Sequence, residues 1–243
     1  MEQINILGIN IIKASRQDIL KKIYAFLNDS RQYQVVTPNP EIILAAVNHD
    51  QELFYILNKA AMAVPDGVAL KFAAWFLGEN ITRITGADLT IEILRLAEEK
   101  NKRVMIFNWR GGLSKAEEIK SAVVKKFSGL DLLVEDIDRQ APYNFTRAMQ
   151  FSPDIIFSTL GAPYQEKFIF HNLAKLPSAK IGLGVGGAFD FLTGRVKRAP
   201  KIFRLIGLEW LWRLIKQPWR WKRIYNAVIV FPIKFVIWRF KKI

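Results

Sequence analysis

Asp66 stands where a carboxylate could do chemistry. It follows the apolar run Ala61–Val64 and Pro65, and precedes Gly67 and the helix-forming stretch Val68–Leu77. A carboxylate at the carboxyl end of a strand is well placed to act as a general base. An Asp just before a helix is equally a helix cap, and the residues alone leave both readings open. Thr37, Asn39, Arg83 and Gln165 occupy comparable loops. Their donors and acceptors suit polyhydroxylated and phosphorylated ligands, although each alone reads as a turn or cap residue. Gly182-Leu-Gly184-Val-Gly186-Gly187 follows an apolar run and spells G-x-G-x-x-G. It lies late in the chain, and no clear crossover helix follows, which argues against a dinucleotide cofactor. It reads as a turn where backbone approaches a phosphate or sugar, or simply as a tight turn.

Other combinations carry less. Asp136-Ile-Asp138 resembles a metal-holding D-x-D, but Arg139 adjoins it and competes with a cation. Solvated loop carboxylates are the plainer reading. The chain has no cysteine and only two histidines, His49 and His171. That excludes disulfides, thiol nucleophiles and Cys-ligated zinc. No metal site and no cofactor are expected.

The elements that must position these residues alternate. Strands are expected at Ile4–Ile12, Tyr33–Thr37, Ala61–Val64, Arg103–Asn108, Asp131–Glu135, Asp154–Thr159 and Lys180–Leu183. Amphipathic helices are expected at Ser15–Asn28, Ala87–Lys100 and Ser114–Phe127, the first with Ser15 as cap. This order implies an α/β fold, a mostly parallel Rossmann-like sheet with helices on both faces. Ligands in such sheets bind beyond the carboxyl ends of the strands. Those ends carry Thr37-Pro-Asn-Pro40, Pro65-Asp-Gly67, Asn108–Gly112, Leu160–Pro163 and Gly184–Gly187.

Charge divides the chain. Its net charge is +14. Residues 195–243 hold 14 Lys/Arg and one acid, Glu209, together with five of the seven tryptophans. The remainder is almost neutral. We therefore expect an α/β domain over 1–194 and a basic, Trp-rich C-terminal helical appendage over 195–243. Helices are expected at Lys201–Lys216 and again from Pro218. Such a tail calls for an anionic partner. The apolar stretch Ile224–Phe240 is broken by Asn226, Pro232, Lys234 and Arg239 and is too short to span a bilayer. Lying in the membrane interface suits its mixture of Trp, Lys/Arg and aliphatic residues better. The N-terminus has no basic region and does not read as a signal peptide.

Several strings together resemble the WecG/TagA/CpsF family of glycosyltransferases. They are Thr37–Glu41, Pro65–Gly67, Arg83–Asp88, Gly161–Lys167, Gly184–Asp190, Arg198–Pro200 and Gly207–Trp210, covering about residues 3–225. The resemblance implies inverting transfer of a hexosamine-type sugar from a UDP-sugar donor to a polyprenyl-diphosphate-linked sugar acceptor. The reaction would take place at the anionic cytoplasmic face of the membrane, with the protein peripheral. The nearest member type makes the teichoic acid linkage unit, moving N-acetylmannosamine from UDP onto undecaprenyl-diphosphate-linked N-acetylglucosamine. Related members move N-acetylmannosaminuronic acid or other sugars on the same motifs. Carried over by motif, Asp66 is the general base, and Thr37 and Asn39 line the acceptor side. Arg83, Gln165, Gly186 and Gly187 hold substrate. Arg213, Arg220 and Arg223 face the diphosphates, and their spacing would place them on one face if the helix ran continuously through Pro218.

Two rivals belong to other classes. A nucleic-acid-binding protein fits the high pI but predicts basic charge over the body, which is nearly neutral, so no nucleic-acid partner is expected. A non-catalytic membrane scaffold explains the tail but not the polar residues at the strand ends. Self-association into a homo-oligomer stays open at this level.

Overall fold

The computed structural model describes residues 1–205 and 207–241, with Leu205 as backbone only. Ile206, inside the expected Lys201–Lys216 helix, and Lys242 and Ile243, inside the basic tail, lie outside the described residues. The chain opens with β1 (Glu2–Ile6), β2 (Ile9–Lys13), α1 (Arg16–Leu27), β3 (Tyr33–Val36), α2 (Pro40–Asn48), α3 (Gln51–Lys59), β4 (Met62–Ala63) and α4 (Val68–Phe76). It continues through α5 (Gly86–Glu99), β5 (Val104–Trp109), α6 (Ala116–Lys126), β6 (Leu132–Ile137), α7 (Thr146–Phe151), β7 (Ile155–Ser158), α8 (Tyr164–Asn172), β8 (Ile181–Gly184) and α9 (Ala188–Leu192).

Six strands form one sheet in the order β4-β3-β8-β7-β5-β6, and every neighbouring pair is parallel. Both faces are covered, so the central strands are apolar almost throughout, as parallel strands must be. One face packs against α1, α5, α6 and α9 through Ile23, Ile93, Val123 and Phe189. The other is shared. The β1–β2 hairpin, α2, α3 and α4 cover one half through Ile9, Ile43, Leu53 and Leu70. Around Phe107, Ile156 and Ile169, α7 and α8 cover the rest.

The expected strand Ile4–Ile12 is instead two strands. Leu7 and Gly8 both have positive φ, 54° and 87°, and turn the chain back so that Ile6 pairs with Ile9. That is the turn geometry matched to strand twist in a hairpin. Asn5 Nδ2 donates to Asn10 Oδ1 at 2.8 Å and stabilises the closure. This hairpin pairs only with itself and lies outside the main sheet.

The C-terminal segment runs through α10 (Lys201–Leu205), α11 (Glu209–Lys216), α12 (Trp221–Tyr225), a π turn at Asn226–Val230 and α13 (Phe231–Phe240). Lys201–Lys216 is therefore not one helix. Gly207 takes φ 80° and separates α10 from α11. A built side chain there would come within 2.8 Å of Val68 at the start of α4. No helix among the described residues is long and apolar enough to cross a membrane. The end of the segment docks on the body: Phe231 and Phe235 are buried in the same core as α2 and α4.

Candidate active site

The turn Pro65-Asp66-Gly67 after β4 sets the site. Gly67 has φ 110°, and a Cβ there would lie 2.9 Å from Pro40 Cδ, so the turn requires glycine. The turn aims Asp66 away from α4, and no side chain caps that helix. The capping reading for α4 is thereby replaced. Asp66 Oδ2 accepts instead from the backbone N–H of Gly86, the first residue of α5, at 3.1 Å. Thr85 caps α5 by accepting from Asp88 N at 3.1 Å, which fixes where that N–H points. Burial pushes the Asp66 carboxyl up. The Gly86 hydrogen bond and the charges of Arg83 and Arg213 offset this in part.

Asp66 faces a cavity of about 170 Å³ on the seam between body and C-terminal segment. From the body come Asn39, Glu41 and Arg83; from the segment come Glu209, Arg213, Arg220 and Arg223. Four arginines meet three carboxylates there. The volume is below the roughly 300 Å³ at which whole-ligand pockets begin.

The arginines converge without sharing one helical face, because the helix does not run continuously through Pro218. Gln217 leaves helical geometry at the end of α11, and Pro218–Arg220 form a single 3₁₀ turn that redirects the chain into α12. Each arginine is held differently. Arg83 donates to Glu209 at 3.0 Å and Arg213 donates to the same carboxylate at 2.7 Å. Glu209 is buried; burial pushes its carboxyl up, but the charges of Arg213 and Arg83 overcome that and leave it below the usual range. Arg223 grips Glu41 through Nε and one terminal nitrogen, at 2.6–2.8 Å. Arg220 donates to Gln217 at 3.2 Å. Burial, with Arg223 and Arg213 nearby, brings its guanidinium down to about 10. A half-buried cation among cations is a site that an anion would relieve.

Of the other expected site residues, Asn39 lines this cavity, and Thr37, Gln165, Gly186 and Gly187 do not. Asn39 lines it, but its Oδ1 is occupied as the cap of α2, accepting from Ile42 N at 2.9 Å. Its amide nitrogen is not used in the cap. Thr37 is buried behind the wall, its hydroxyl 3.3 Å from where a Gly86 Cβ would stand. Gln165, Gly186 and Gly187 form a separate cluster past β8. Gly186 takes φ 50°, and its N–H donates to Gln165 Oε1 at 2.8 Å. Gln165 Nε2 donates to Glu166 Oε1 at 2.7 Å. Asp190, on α9 beside Gly187, accepts from Ser114 at 2.7 Å, and its charge reaches Arg220. The glycine turn and the arginine cavity are thus electrostatically linked.

Glu209 is the cavity residue that motif reading named but did not assign. Its signal was present: it is the sole acid among residues 195–243. The Asp136/Asp138 pair is engaged within the protein. Asp136 accepts from Asn108 at 2.6 Å and from Ala116 N at 3.1 Å, and Asp138 pairs with Arg110 at 3.0 Å. Among the described residues no group of three His, Cys, Asp or Glu is placed to hold a metal ion. A second cleft of about 350 Å³ lies between α8 and the loop after β6. Its one carboxylate, Asp138, is the one held by Arg110.

This geometry joins a desolvated acid at a strand end, a cluster of arginines and a parallel sheet. Comparison with known proteins points the same way. An enzyme of Bacillus subtilis (strain 168), named N-acetylglucosaminyldiphosphoundecaprenol N-acetyl-beta-D-mannosaminyltransferase, is 35% identical over 232 residues, covering 91% of this chain and 86% of its own length. Proteins of the same name from Bacillus spizizenii (strain W23) and Staphylococcus aureus (strain MRSA252) are 33% and 29% identical, covering 83% and 91% of this chain and 78% and 87% of their own. The profile of the glycosyl transferase WecG/TagA/CpsF family matches residues 4–243, and the chain belongs to that family.

Proposed function

We propose that the protein transfers N-acetylmannosamine from its UDP derivative to undecaprenyl-diphosphate-linked N-acetylglucosamine, with inversion at the anomeric carbon. The supporting observation is the seam cavity, where one desolvated carboxylate faces four arginines. Asp66 takes the proton from the acceptor hydroxyl as its oxygen attacks the sugar. The bond from the anomeric carbon to the UDP oxygen breaks, and the new negative charge on UDP is met by arginine. Burial raises the basicity of Asp66, and the Gly86 N–H and the charges of Arg83 and Arg213 offset part of that rise.

In this reading residues 1–194 are the catalytic unit. Residues 195–243 carry Arg213, Arg220 and Arg223 to the diphosphates and dock on the anionic inner face of the membrane, where the lipid-linked acceptor lies. Arg220, the least compensated of the three, is the first to meet phosphate. Asn39 lines the acceptor side with Thr37 behind it, and Arg83 holds substrate at the cavity wall, while Gln165, Gly186 and Gly187 form a cluster outside that lining. The names of the relatives support the sugar and the acceptor; UDP as the carrier rests on the family resemblance, whose motifs also serve other sugars.

The test is a panel of UDP-sugars with a water-soluble analogue of the lipid diphosphate acceptor. Transfer from UDP-N-acetylmannosamine, with the product linkage inverted, is the expected result. Preference for another UDP-sugar would replace the donor and keep the mechanism. Full activity on that acceptor after Arg213, Arg220 and Arg223 are each changed to Ala would remove the tail from the chemistry.

A further inference from the structure

We infer that the bilayer-docking surface is not confined to the C-terminal segment: helix α4 of the body forms its other half. The inference rests on the membrane-docking part of the reading above, and is independent of the sugar chemistry.

Helix α4 buries Leu70, Ala73 and Ala74 against the core. Its opposite side would be polar on an ordinary surface helix. Here it carries Phe72, Trp75 and Phe76, which are 65%, 73% and 51% exposed. Beside it, α13 buries Phe231 and Phe235 and exposes Ile233, Val236, Ile237 and Phe240. The two helices meet at Phe76 and Phe235, whose rings pack edge to face at 5.9 Å. Two exposed apolar faces from distant parts of the sequence therefore adjoin.

Charge identifies the occupant as an anionic bilayer. Neither α4 nor any position from Trp210 to the end of the chain is acidic. Lys71 is exposed within the aromatic stripe of α4, and Lys222, Lys234, Arg239 and Lys241 flank the other helices. Aromatic and aliphatic side chains framed by Lys and Arg match the headgroup boundary of an anionic membrane. A protein partner of matching shape would need acidic groups around an apolar centre; lipid supplies both everywhere. The cavity fixes the orientation. Gly67, Val68 and Ala69 of the α4 entry line one side, and Ala227 and Val228 of the tail line the other. An acceptor with an anionic head and a hydrocarbon tail would enter at the end of this apolar face.

The absence of cysteine makes the test direct. Single-cysteine variants Trp75→Cys, Ile237→Cys and Lys125→Cys of the full chain carry an environment-sensitive fluorophore. Lys125 lies on α6, which covers the other face of the sheet. With vesicles of phosphatidylglycerol and phosphatidylcholine, the labels at 75 and 237 should both shift to the blue and the label at 125 should not. Pure phosphatidylcholine should give a much smaller response. A companion change, Trp75→Glu, should lower vesicle partitioning roughly tenfold or more, because it replaces a large exposed aromatic side chain on the docking face with a carboxylate. A response at 237 without one at 75 overturns the inference and leaves docking to the tail alone. A response at 75 that grows with protein concentration in the absence of vesicles also overturns it, in favour of a second copy on this face. No transfer reaction enters the assay, so failure here is distinct from failure of the proposed activity.

Discussion

Asp66 and Glu166 are both carboxylic acids held above their ordinary range by burial. Their surroundings differ. Asp66 faces the seam cavity, with one oxygen bound by a backbone N–H and arginines across the space. Glu166 is closed in, 1% exposed, with one oxygen held by Gln165 and the other without a partner. Burial pushes it up to about 7. Burial alone therefore does not mark a base: a proton acceptor must also face a space that substrate can enter. The closed acid holds Gln165 in orientation, and through it the Gly186 turn.

The sharpest way to break the comparison is Asp66→Asn. Initial-rate assays should show turnover reduced by roughly 10²–10⁴-fold, the usual contribution of a general base. Melting temperature should hold or rise, because an acid with a raised folded-state pKa is stabilising when protonated and loses that advantage as pH rises. Near-normal turnover would show that the two acids do not differ in the way claimed.

Glu166→Gln should act on stability. The folded-state value is about 7 against an ordinary 4.5, so the folded protein binds the extra proton between those limits. Stability should fall as pH rises from about 4.5 to 7, by up to ~3 kcal/mol for this group, and stay flat above. Denaturant titrations across that range should show the slope in the parent chain and a shallower one in Glu166→Gln. An unchanged slope would remove Glu166 as its source.

A smaller effect is expected from Glu41→Gln. Its pair with Arg223 is half exposed, and such pairs are worth up to about 1 kcal/mol. Stability should hardly move. KM for the donor should fall modestly if Glu41 competes with phosphate for Arg223, and a rise in KM would show the carboxylate positioning the arginine instead. The smallest expected effect is none: EDTA should leave transfer rates unchanged, and loss restored by magnesium or manganese would return attention to Asp136 and Asp138.

Much of this was legible in the residues. Six of the expected strands lie within a residue or two of their observed limits, because buried parallel strands announce themselves as short apolar runs between helical periods. The first did not, because Ile-Leu-Gly-Ile stays apolar straight through the Leu7–Gly8 turn. The polar residues after the strands could be picked out because topology places all strand ends on one edge. The convergence of Asp66, Arg83 and the tail arginines was implied by the family resemblance and not by the residues taken by themselves. Glu209 could not be assigned, since its partner Arg83 lies 126 residues away and they meet only when the tail folds back. Thr37 and Gln165 show the converse. Thr37 follows β3 but lies buried behind the wall, and Gln165, read as a loop residue, stands in the first turn of α8 in another cluster.

The docked end of the tail has a kinetic consequence. The segment leaves the body after α9, crosses the cavity at Arg213, Arg220 and Arg223, and is fastened again by Phe231 and Phe235. It is a strap held at both ends. Lifting it would return two phenylalanines to water, at about 1.5–3 kcal/mol each, so an open form is rarer by roughly 10²–10⁴-fold. Swinging wide is thus a poor route for substrate exchange at every turnover. Passage beneath the strap from its edges avoids that cost, because it leaves both phenylalanines in place.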